Sequence, residues 1–394
     1  MSQLLNERWS ETKDALLEGL QGTRRSSMSV CLENTRKYLA ESATAGATST
    51  GNIATLNRVI LPVIRRVMPT VIANEIIGVQ PMTGPVGQIH TLRVRYADSS
   101  NEVVAGEEAL SPFKIAQAYS GNNASNGGAN TTAALEGTPG KRMSIQILKS
   151  PVEANSRKLS ARWTFEAAQD AQAQQGIDIE AEIMAALAQE ITAEIDQEIL
   201  ASLRALGTVE ETYDQALVSG TATFVGDEHA ALAIQINRVA NLIAQRTRRG
   251  AGNWAVVSNQ ALTILQSATT SAFARTTEGT FEAPTNTKFV GTLNGAMRIY
   301  VDAYLPDSGS QAIEDNQVLI GYKGSSEADA AAFYCPYIPL MSSGVVLDPA
   351  TFEPVVGFLT RYGYVELTNT ASSLGNAADY LGKVSINSDN TSYK

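Results

Sequence analysis

Carboxylates are the side chains with the most evident chemical potential in this sequence. Paired carboxylates can act as general acid and base or can bind a divalent cation. A single segment carries seven acids, with no basic residue between positions 178 and 203: Asp178, Glu180, Glu182, Glu190, Glu194, Asp196 and Glu198. Because helix surfaces commonly carry glutamate, we interpret this set as a helix surface that faces solvent or a basic partner.

Histidine and cysteine offer little material for chemistry. The chain has 2 histidines and 2 cysteines. His90 alternates with apolar residues, which is typical of a structural residue on a strand, and we expect His229 at the surface beside Asp227 and Glu228. Cys31 and Cys335 lie far apart in the sequence, so they form neither a disulfide framework nor a thiolate metal site. We therefore expect no catalytic residue, no cofactor and no metal site.

Motifs for common enzyme classes are missing. The sequence has no G-x-S-x-G elbow, no G-x-G-x-x-G after a strand, no H-E-x-x-H and no EF-hand loop. The segment nearest to a phosphate-binding loop, GTPGKR at 137–142, lacks the required spacing and the Ser or Thr, so we interpret it as a turn.

The net charge of the chain argues against sequence-specific binding of nucleic acid. The formal net charge is −10, whereas a sequence-specific DNA-binding protein shows a basic footprint. Short arginine clusters at 24–25, 65–66 and 246–249 leave nucleic-acid contact open, but the excess of acids favours ion pairing. The first 20 residues are charged throughout, and no apolar run approaches the length of a membrane span.

The clearest predicted element is a helix over 177–206. Apolar residues recur every four positions along it, and its predicted core residues are Ile183, Leu187, Ile191 and Ile195. Thirty residues at 1.5 Å each give a length of about 45 Å. A four-residue repeat drifts around a helix of 3.6 residues per turn, so we expect different partners to cover its two ends.

Alternating apolar residues predict strands on both sides of a polar loop. One strand is predicted at 88–96, and further alternating runs lie at 143–147 and 159–165. The Gly- and Asn-rich stretch 120–140 cannot bury much surface, so these strands should build a projecting arm.

The remaining segments give a compact α/β pattern and two polar connections. A helix is predicted at 227–249, followed by a strand at 253–257 and a helix capped by Ser258. More strands are predicted at 298–304, 317–322 and 354–367, and the tail from 368 onward is small and polar. At the N-terminal end, a narrow apolar stripe predicts a docked amphipathic helix at 3–21 that stops at Gly22. The small polar residues of 42–55 predict a flexible connector.

Five blocks in sequence order resemble the major capsid proteins of T4-like tailed bacteriophages. The blocks are LNRVILPVIRRVMPTVIANEIIGVQPMTGPVGQI (56–89), SRKLSARWTFEAAQDAQAQQGIDIEAEI (156–183), RTRRGAGNWAVVSNQAL (246–262), LIGYKGSSEADAAAFYCPYIPL (319–340) and FEPVVGFLTRYGYV (352–365). This resemblance implies an α+β, HK97-type capsid fold. Its expected parts are an N-terminal helix that is cleaved or docked (1–41), an N-terminal arm (42–87), an extended β-hairpin loop (88–165), a peripheral domain with the spine helix (166–226 and 346–394), and an axial α/β domain (227–345).

The same resemblance implies a structural function. A protein of this family self-assembles into hexamers and pentamers of an icosahedral shell that encloses phage double-stranded DNA, without sequence-specific binding. Expected partners are other copies of the chain, a scaffold, a portal, and vertex or decoration proteins; the expected location is the virion capsid, assembled in the host bacterial cytoplasm. An encapsulin-like compartment shell is the alternative with the same fold, and an unrecognised enzyme would need a convergent polar site.

The sequence departs from the T4-like pattern inside the extended loop and at the N-terminus. The stretch 97–141 is short, so the larger insertion domain of that lineage is expected to be missing. The N-terminal region is short as well. The family's maturation protease prefers Leu or Ile two residues before a Glu, so Leu39-Ala40-Glu41 predicts cleavage after Glu41, although Leu5-Asn6-Glu7 fits the same short rule.

Overall fold

Helices and strands are mixed along the chain, as the α+β prediction requires. The computed structural model describes residues 9, 13–14, 16–17, 20, 22–45, 71–100, 103–106, 109, 119–121, 128–137, 139–175, 179–214, 225–247, 249–267, 273–275, 288–302, 317–325, 329–351, 353–367 and 377–386. The helices are α1 (Gly22–Ala45), α2 (Ala73–Ile76), α3 (Thr132–Leu135), α4 (Phe165–Gln175), α5 (Ile179–Leu206), α6 (Val225–Thr247), α7 (Asn259–Ser267) and a 3-10 turn (Ala377–Tyr380). The strands are β1 (Gly78–Val79), β2 (Val86–Tyr96), β3 (Met143–Glu153), β4 (Asn155–Arg162), β5 (Val209–Tyr213), β6 (Trp254–Val257), β7 (Phe273–Arg275), β8 (Lys288–Leu293), β9 (Met297–Val301), β10 (Gln317–Gly321), β11 (Ala332–Leu347), β12 (Pro354–Glu366) and β13 (Leu381–Ile386).

Helix α5 is the longest of the described helices and contributes to the largest apolar cluster. Its 28 residues span about 42 Å. Ile191 and Ile195 are buried, whereas Ile183 and Leu187 are half-buried. The first turns of the helix therefore meet less of the core than its later turns, so the winding apolar stripe is covered unevenly.

The larger sheet has seven strands in the order β5-β13-β10-β6-β9-β8-β7. Helices α6 and α7 pack against it through a cluster that includes Leu232, Ile236, Ile243 and Ile264. The predicted cap of α7 is present, since Ser258 Oγ accepts a hydrogen bond from the Ala261 backbone N–H at 3.2 Å.

The smaller sheet has four strands in the order β1-β11-β12-β4. Its apolar side chains meet helix α5 in the largest cluster, where the rings of Tyr334 and Tyr362 lie 5.4 Å apart between centroids. Strands β2 and β3 form a separate two-stranded antiparallel ribbon, with Val86 opposite Glu153 at one end and Tyr96 opposite Met143 at the other.

The sheets divide the chain differently from the predicted domain bounds. The predicted limit at 345/346 falls inside β11, which belongs entirely to the four-stranded sheet. Strand β4, predicted within the extended loop, pairs with β12 in that sheet, and its strand conformation ends at Arg162, before Phe165 begins a helix. The reason is long-range pairing, which alternation within a strand does not encode.

Two segments that were predicted as polar or as connectors contain regular structure. The tail from 368 onward includes β13, a buried strand of the seven-stranded sheet that pairs with β10 and β5. The predicted stop at Gly22 is the first residue of helix α1, which continues to Ala45 into the predicted connector. Gly22 has a φ of 60°, so this glycine turns the chain into the helix. Most of the predicted helix at 3–21, and the rest of the connector at 46–55, lie outside the described residues.

Candidate assembly surfaces

The ribbon of β2 and β3 presents an uncovered apolar stripe. Met143, Ile145 and Ile147 alternate along β3 and therefore point to one face; their exposed fractions are 53%, 68% and 61%. Ser144 and Gln146 point to the opposite face and are also exposed. The ribbon is thus amphipathic, although its apolar face lies open within the described part of the subunit.

The base of the ribbon is fixed to the body of the subunit. Val152 is buried in a cluster with Met82, Phe333 and Cys335. The close approach depends on Gly363, since a Cβ there would lie 2.4 Å from Val152 Cγ1. The ribbon therefore starts from a rigid base beside the four-stranded sheet.

The far end of the ribbon is closed by a small cap. The rings of Tyr96 and Tyr119 lie 4.5 Å apart, and Val103 and Ala109 complete a small buried cluster. The Tyr119 hydroxyl donates to the backbone carbonyl of Arg142 at 2.5 Å. This cap holds the outer end of the ribbon in shape, and the described residues leave the apolar stripe between cap and base uncovered.

Further exposed apolar residues lie at one end of the four-stranded sheet. Val345, Val346 and Leu347 are exposed at the end of β11, and Phe165 is exposed shortly after β4. Val346 pairs with Val355, and Val355 pairs with Arg162. These exposed residues therefore lie at the same end of the sheet. Because successive strand residues point to opposite faces, Val345 and Leu347 lie on one face of the sheet and Val346 on the other.

The N-terminal helix makes polar contacts with its own subunit. Asn34 Nδ2 donates to the carbonyl oxygens of Met82, at 2.7 Å, and Tyr337, at 2.9 Å. Arg24 pairs with Glu75 of helix α2. These contacts connect helix α1 to the ribbon base, to strand β11 and to α2.

The acids of the predicted set that lie on α5 are divided between surface and core, whereas Asp178 lies outside the described residues. Arg157 binds Glu194 at 2.8 Å and Glu198 at 2.6 Å, and the Tyr362 hydroxyl also contacts Glu198. Desolvation works against the charge of Arg157, but its hydrogen bonds outweigh that effect and raise the pKa of the guanidinium. The basic partner of Glu194 and Glu198 is thus within the subunit. Asp196 does not fit the predicted surface role, because it is buried.

The arginine cluster at 246–249 likewise pairs with acids of the same chain. Arg246 binds Glu210 at 2.6 Å, and Arg249 binds Asp329 at 2.7 Å. The pKa of Glu210 is lowered: its desolvation is outweighed by hydrogen bonds from Arg246 and Thr208 and by the charge of Arg246. Ion pairing is therefore the observed role of these two arginines. The cluster at 65–66 lies outside the described residues.

Histidine and cysteine form no reactive centre among the described residues. The prediction for His229 was wrong: it is buried, with Nδ1 2.5 Å from Ser267 Oγ. Both cysteines are buried and not disulfide-bonded, and burial raises the pKa of each thiol to about 12. In the described ranges, no three His, Cys, Asp or Glu side chains are placed to hold a metal ion. Nor does any described helix have the length and apolar character to cross a bilayer.

Solved structures with similarity to the chain include phage capsids. The mature capsid of bacteriophage PhiM1 matches with a TM-score of 0.46 and 13% identity, over 78% of this chain and 83% of that one. The capsid of Myoviridae phage XM1 matches with a TM-score of 0.44 and 11% identity, over 78% of this chain and 89% of that one.

Comparison of the sequence with known proteins identifies the family. The family model for "Major capsid protein Gp23" matches residues 53–136 and 119–388. The chain is 29% identical to the major capsid protein of Vibrio phage KVP40, covering 87% of this chain and 83% of that protein. It is 28% identical to the major capsid protein of Enterobacteria phage T4, covering 83% of this chain and 78% of that protein. The family match includes both sheets and the ribbon, so the chain belongs to the Gp23 family of phage major capsid proteins and is a structural protein of the capsid.

Proposed function

We propose that this chain assembles into hexamers and pentamers of an icosahedral shell around phage double-stranded DNA. The observation that carries the proposal is the ribbon, whose apolar stripe extends from a fixed base and is covered by none of the described residues. A neighbouring copy of the chain is the partner that a shell supplies at every such position.

The energetics of this stripe suit reversible assembly. Burial of apolar surface contributes about 25 cal/mol per Å², so covering three side chains of this size contributes a few kcal/mol per subunit. A contact this weak lets wrongly placed subunits leave, while its repetition over many copies stabilises the closed shell. The exposed apolar residues at the end of the four-stranded sheet, Val345, Val346, Leu347 and Phe165, are further candidates for contact between subunits.

The negative charge of the chain supports a shell that encloses DNA without binding it tightly. The formal net charge is −10, and Arg246 and Arg249 are bound to acids of their own subunit. We expect the contacts between shell and DNA to be weak and independent of sequence. Assembly in the host cytoplasm, a scaffold, a portal, and vertex or decoration proteins belong to this proposal.

The function proposed is structural, with no catalytic step and no cofactor. An encapsulin-like compartment shell, the alternative with the same fold, receives less support because the family match is to capsid proteins of phages. The domain roles remain part of the proposal: the four-stranded sheet with α5 as the peripheral domain, and the seven-stranded sheet as the axial domain.

We also infer removal of an N-terminal segment after Glu41. Glu41 lies near the C-terminal end of helix α1. Because proteases bind extended chains, the last turns of this helix must unwind before cleavage. Release of the segment also requires loss of the Asn34 hydrogen bonds and of the pair between Arg24 and Glu75, so these contacts resist its departure.

A pair of matched variants tests the role of the ribbon. Ile145→Lys places a charge on the apolar face, whereas Gln146→Lys places the same charge on the polar face of the same strand; both positions are exposed. Subunit folding, followed by thermal melting, should be unchanged in both variants. Because loss of a central apolar contact costs about 1–3 kcal/mol per interface, Ile145→Lys should raise the concentration needed for assembly roughly tenfold or more. Sedimentation of assembled particles measures this. Equal assembly of the two variants would refute an interface on the apolar face.

A further inference from the structure

Two buried acids lie where helix α5 meets other parts of the chain. Asp196, on helix α5, is 1% exposed, and its Oδ1 accepts a hydrogen bond from the Ile72 backbone N–H at 2.9 Å. Ile72 leads into the short helix α2, after which β1 joins the four-stranded sheet. Asp302, the residue that follows β9 of the seven-stranded sheet, is 0% exposed and contacts the same helix α5.

The two buried acids are satisfied unequally. Asp302 Oδ1 accepts from Gln197 at 2.7 Å and its Oδ2 from Arg204 at 2.6 Å, so this carboxylate is neutralised by the helix. Asp196 Oδ2, in contrast, is buried and has no hydrogen-bond partner among the described residues. An ionised Asp196 would therefore be a buried charge with one hydrogen bond only, close to a second carboxylate.

Helix α5 and strand β11 bring no free positive charge to Asp196. Within α5, Arg204 is bound to Asp302 at 2.6 Å. Strand β11 contributes Tyr334, a phenol whose pKa is raised by burial and, secondarily, by neighbouring groups that include Asp196 and Glu198, so it stays neutral.

The charged groups around α2 are bound elsewhere. Glu75 is paired with Arg24 and Arg298. Lys323, which follows β10, donates from Nζ to the backbone carbonyl of Asn74 at 2.9 Å. On strand β4, which also packs against α5, Arg157 is bound to Glu194 and Glu198. None of these described cations is therefore directed at the Asp196 carboxylate.

We propose that Asp196 is a proton-operated latch: the protonated carboxyl stabilises the closed packing of the Ile72 segment against helix α5, and ionisation of Asp196 loosens that junction. A buried charge gains most by reaching water. Local opening of the 71–77 segment gives Asp196 that access without unfolding the rest of the subunit. This inference concerns the single subunit and does not depend on the proposed shell.

The direction of the pH effect follows from the chemistry of the site. Desolvation, together with the charge of Asp302, raises the pKa of Asp196 to about 7, although the Ile72 N–H opposes the shift. A solvated aspartic acid has a pKa of about 3.9. The closed junction therefore binds a proton that the open junction releases, so closure is most stable below about pH 4 and weakens as the pH rises towards 7. Above the raised pKa both forms are ionised, and the dependence ends.

Hydrogen exchange of the full chain tests the latch, because the Ile72 amide reports on it directly. The measured quantity is the protection factor of the 71–77 segment, corrected for the intrinsic pH dependence of exchange. In the wild type it should fall roughly fifty-fold from pH 5 to pH 7 and only about twofold more by pH 8. Asp196→Asn keeps an acceptor for the Ile72 N–H but cannot titrate, so its profile should be flat.

The controls separate the latch from a general effect of pH. Asp170→Asn, at an exposed position of helix α4, should keep the wild-type profile. The buried strand 254–257 should show no such fall in any of the proteins. A wild-type protection factor at 71–77 that is constant from pH 5 to pH 7 would overturn the proposal even if Asp196→Asn fails to fold. A fall of equal size in Asp196→Asn would overturn it as well.

Discussion

Ile191 is the residue on which the integrity of helix α5 can be tested most simply. Its side chain is 1% exposed in the largest apolar cluster. Ile191→Asp removes a buried apolar side chain and buries a charge, which together cost more than about 5 kcal/mol. That loss is comparable to the total stability of a typical domain. We expect no soluble folded subunit, as judged by expression and circular dichroism.

Ile234 provides the control for this substitution. It lies on helix α6 and is 67% exposed. Ile234→Asp introduces the same chemical change at a solvated position, so the stability should change by about 0.5 kcal/mol or less. A soluble, cooperatively melting Ile191→Asp protein would show that the core of this helix lies elsewhere.

At the scale of residues, the sequence could not predict which acids of α5 are exposed, paired or buried. The spacing predicted a helix surface facing solvent or a basic partner, and Glu194 and Glu198 do meet a base, Arg157. That arginine comes from strand β4, so local spacing could not name it. Asp196 has the same local context but is buried, because tertiary packing brings the Ile72 segment onto its side of the helix. The burial of Asp196 alone among the six acids of this set that the structure describes is therefore a property of the folded subunit.

At the scale of elements, the sequence predicted helices and strands correctly where a single local signal, such as apolar periodicity or a capping residue, was strong. The long helix, the strand at 88–96 and the Ser258 cap follow from periodicity and capping chemistry, and the structure contains all three. Strand β13 was missed because six residues within a polar tail give little alternation, and only its partners β10 and β5 define it. Helix α1 lies largely within the N-terminal helix expected at 1–41, but the predicted stop at Gly22 was wrong because the amphipathic pattern of α1 is weak and its position depends on the Asn34 contacts.

The uncovered ribbon stripe could be predicted only in part. Alternation in β3 placed Met143, Ile145 and Ile147 on one face, but alternation normally indicates a face that is buried. The sequence could not show that this face remains exposed, since the answer depends on which elements pack there. An exposed apolar face on a well-formed element is instead a property of the folded subunit, and such a face is typical of an interface.

The end of helix α1 is the element at which processing can be tested. If the chain is cleaved after Glu41, intact-mass analysis of virion protein should give a polypeptide that begins at Ser42. Glu41→Gln should leave the segment attached, because the protease rule requires the acid. Glu7→Gln, at the alternative site, is the matched control and should leave the product unchanged. Full-length chain in mature wild-type virions would contradict cleavage, and a product that begins at Arg8 would place it after Glu7 instead.

At the scale of the whole molecule, the α+β architecture and the family could be predicted from the sequence, whereas the division between the two sheets could not. The family match confirms the predicted resemblance over most of the chain. Strands β1 and β4 join the neighbouring strands β11 and β12 in one sheet from distant parts of the sequence, and β13 returns to the other sheet. Such pairings are set by the packing of the complete subunit, so they are visible only in the folded chain.

Electron microscopy of the purified chain tests the central claim most directly, both alone and together with the scaffold protein of the same phage. A structural capsid subunit with an uncovered apolar ribbon should form closed shells, tubes or hexameric rings in at least one of these samples. The Gln146→Lys protein should form the same particles, and Ile145→Lys should form few. Only small, monodisperse particles in both wild-type samples would contradict the account that this chain builds a shell from copies of itself.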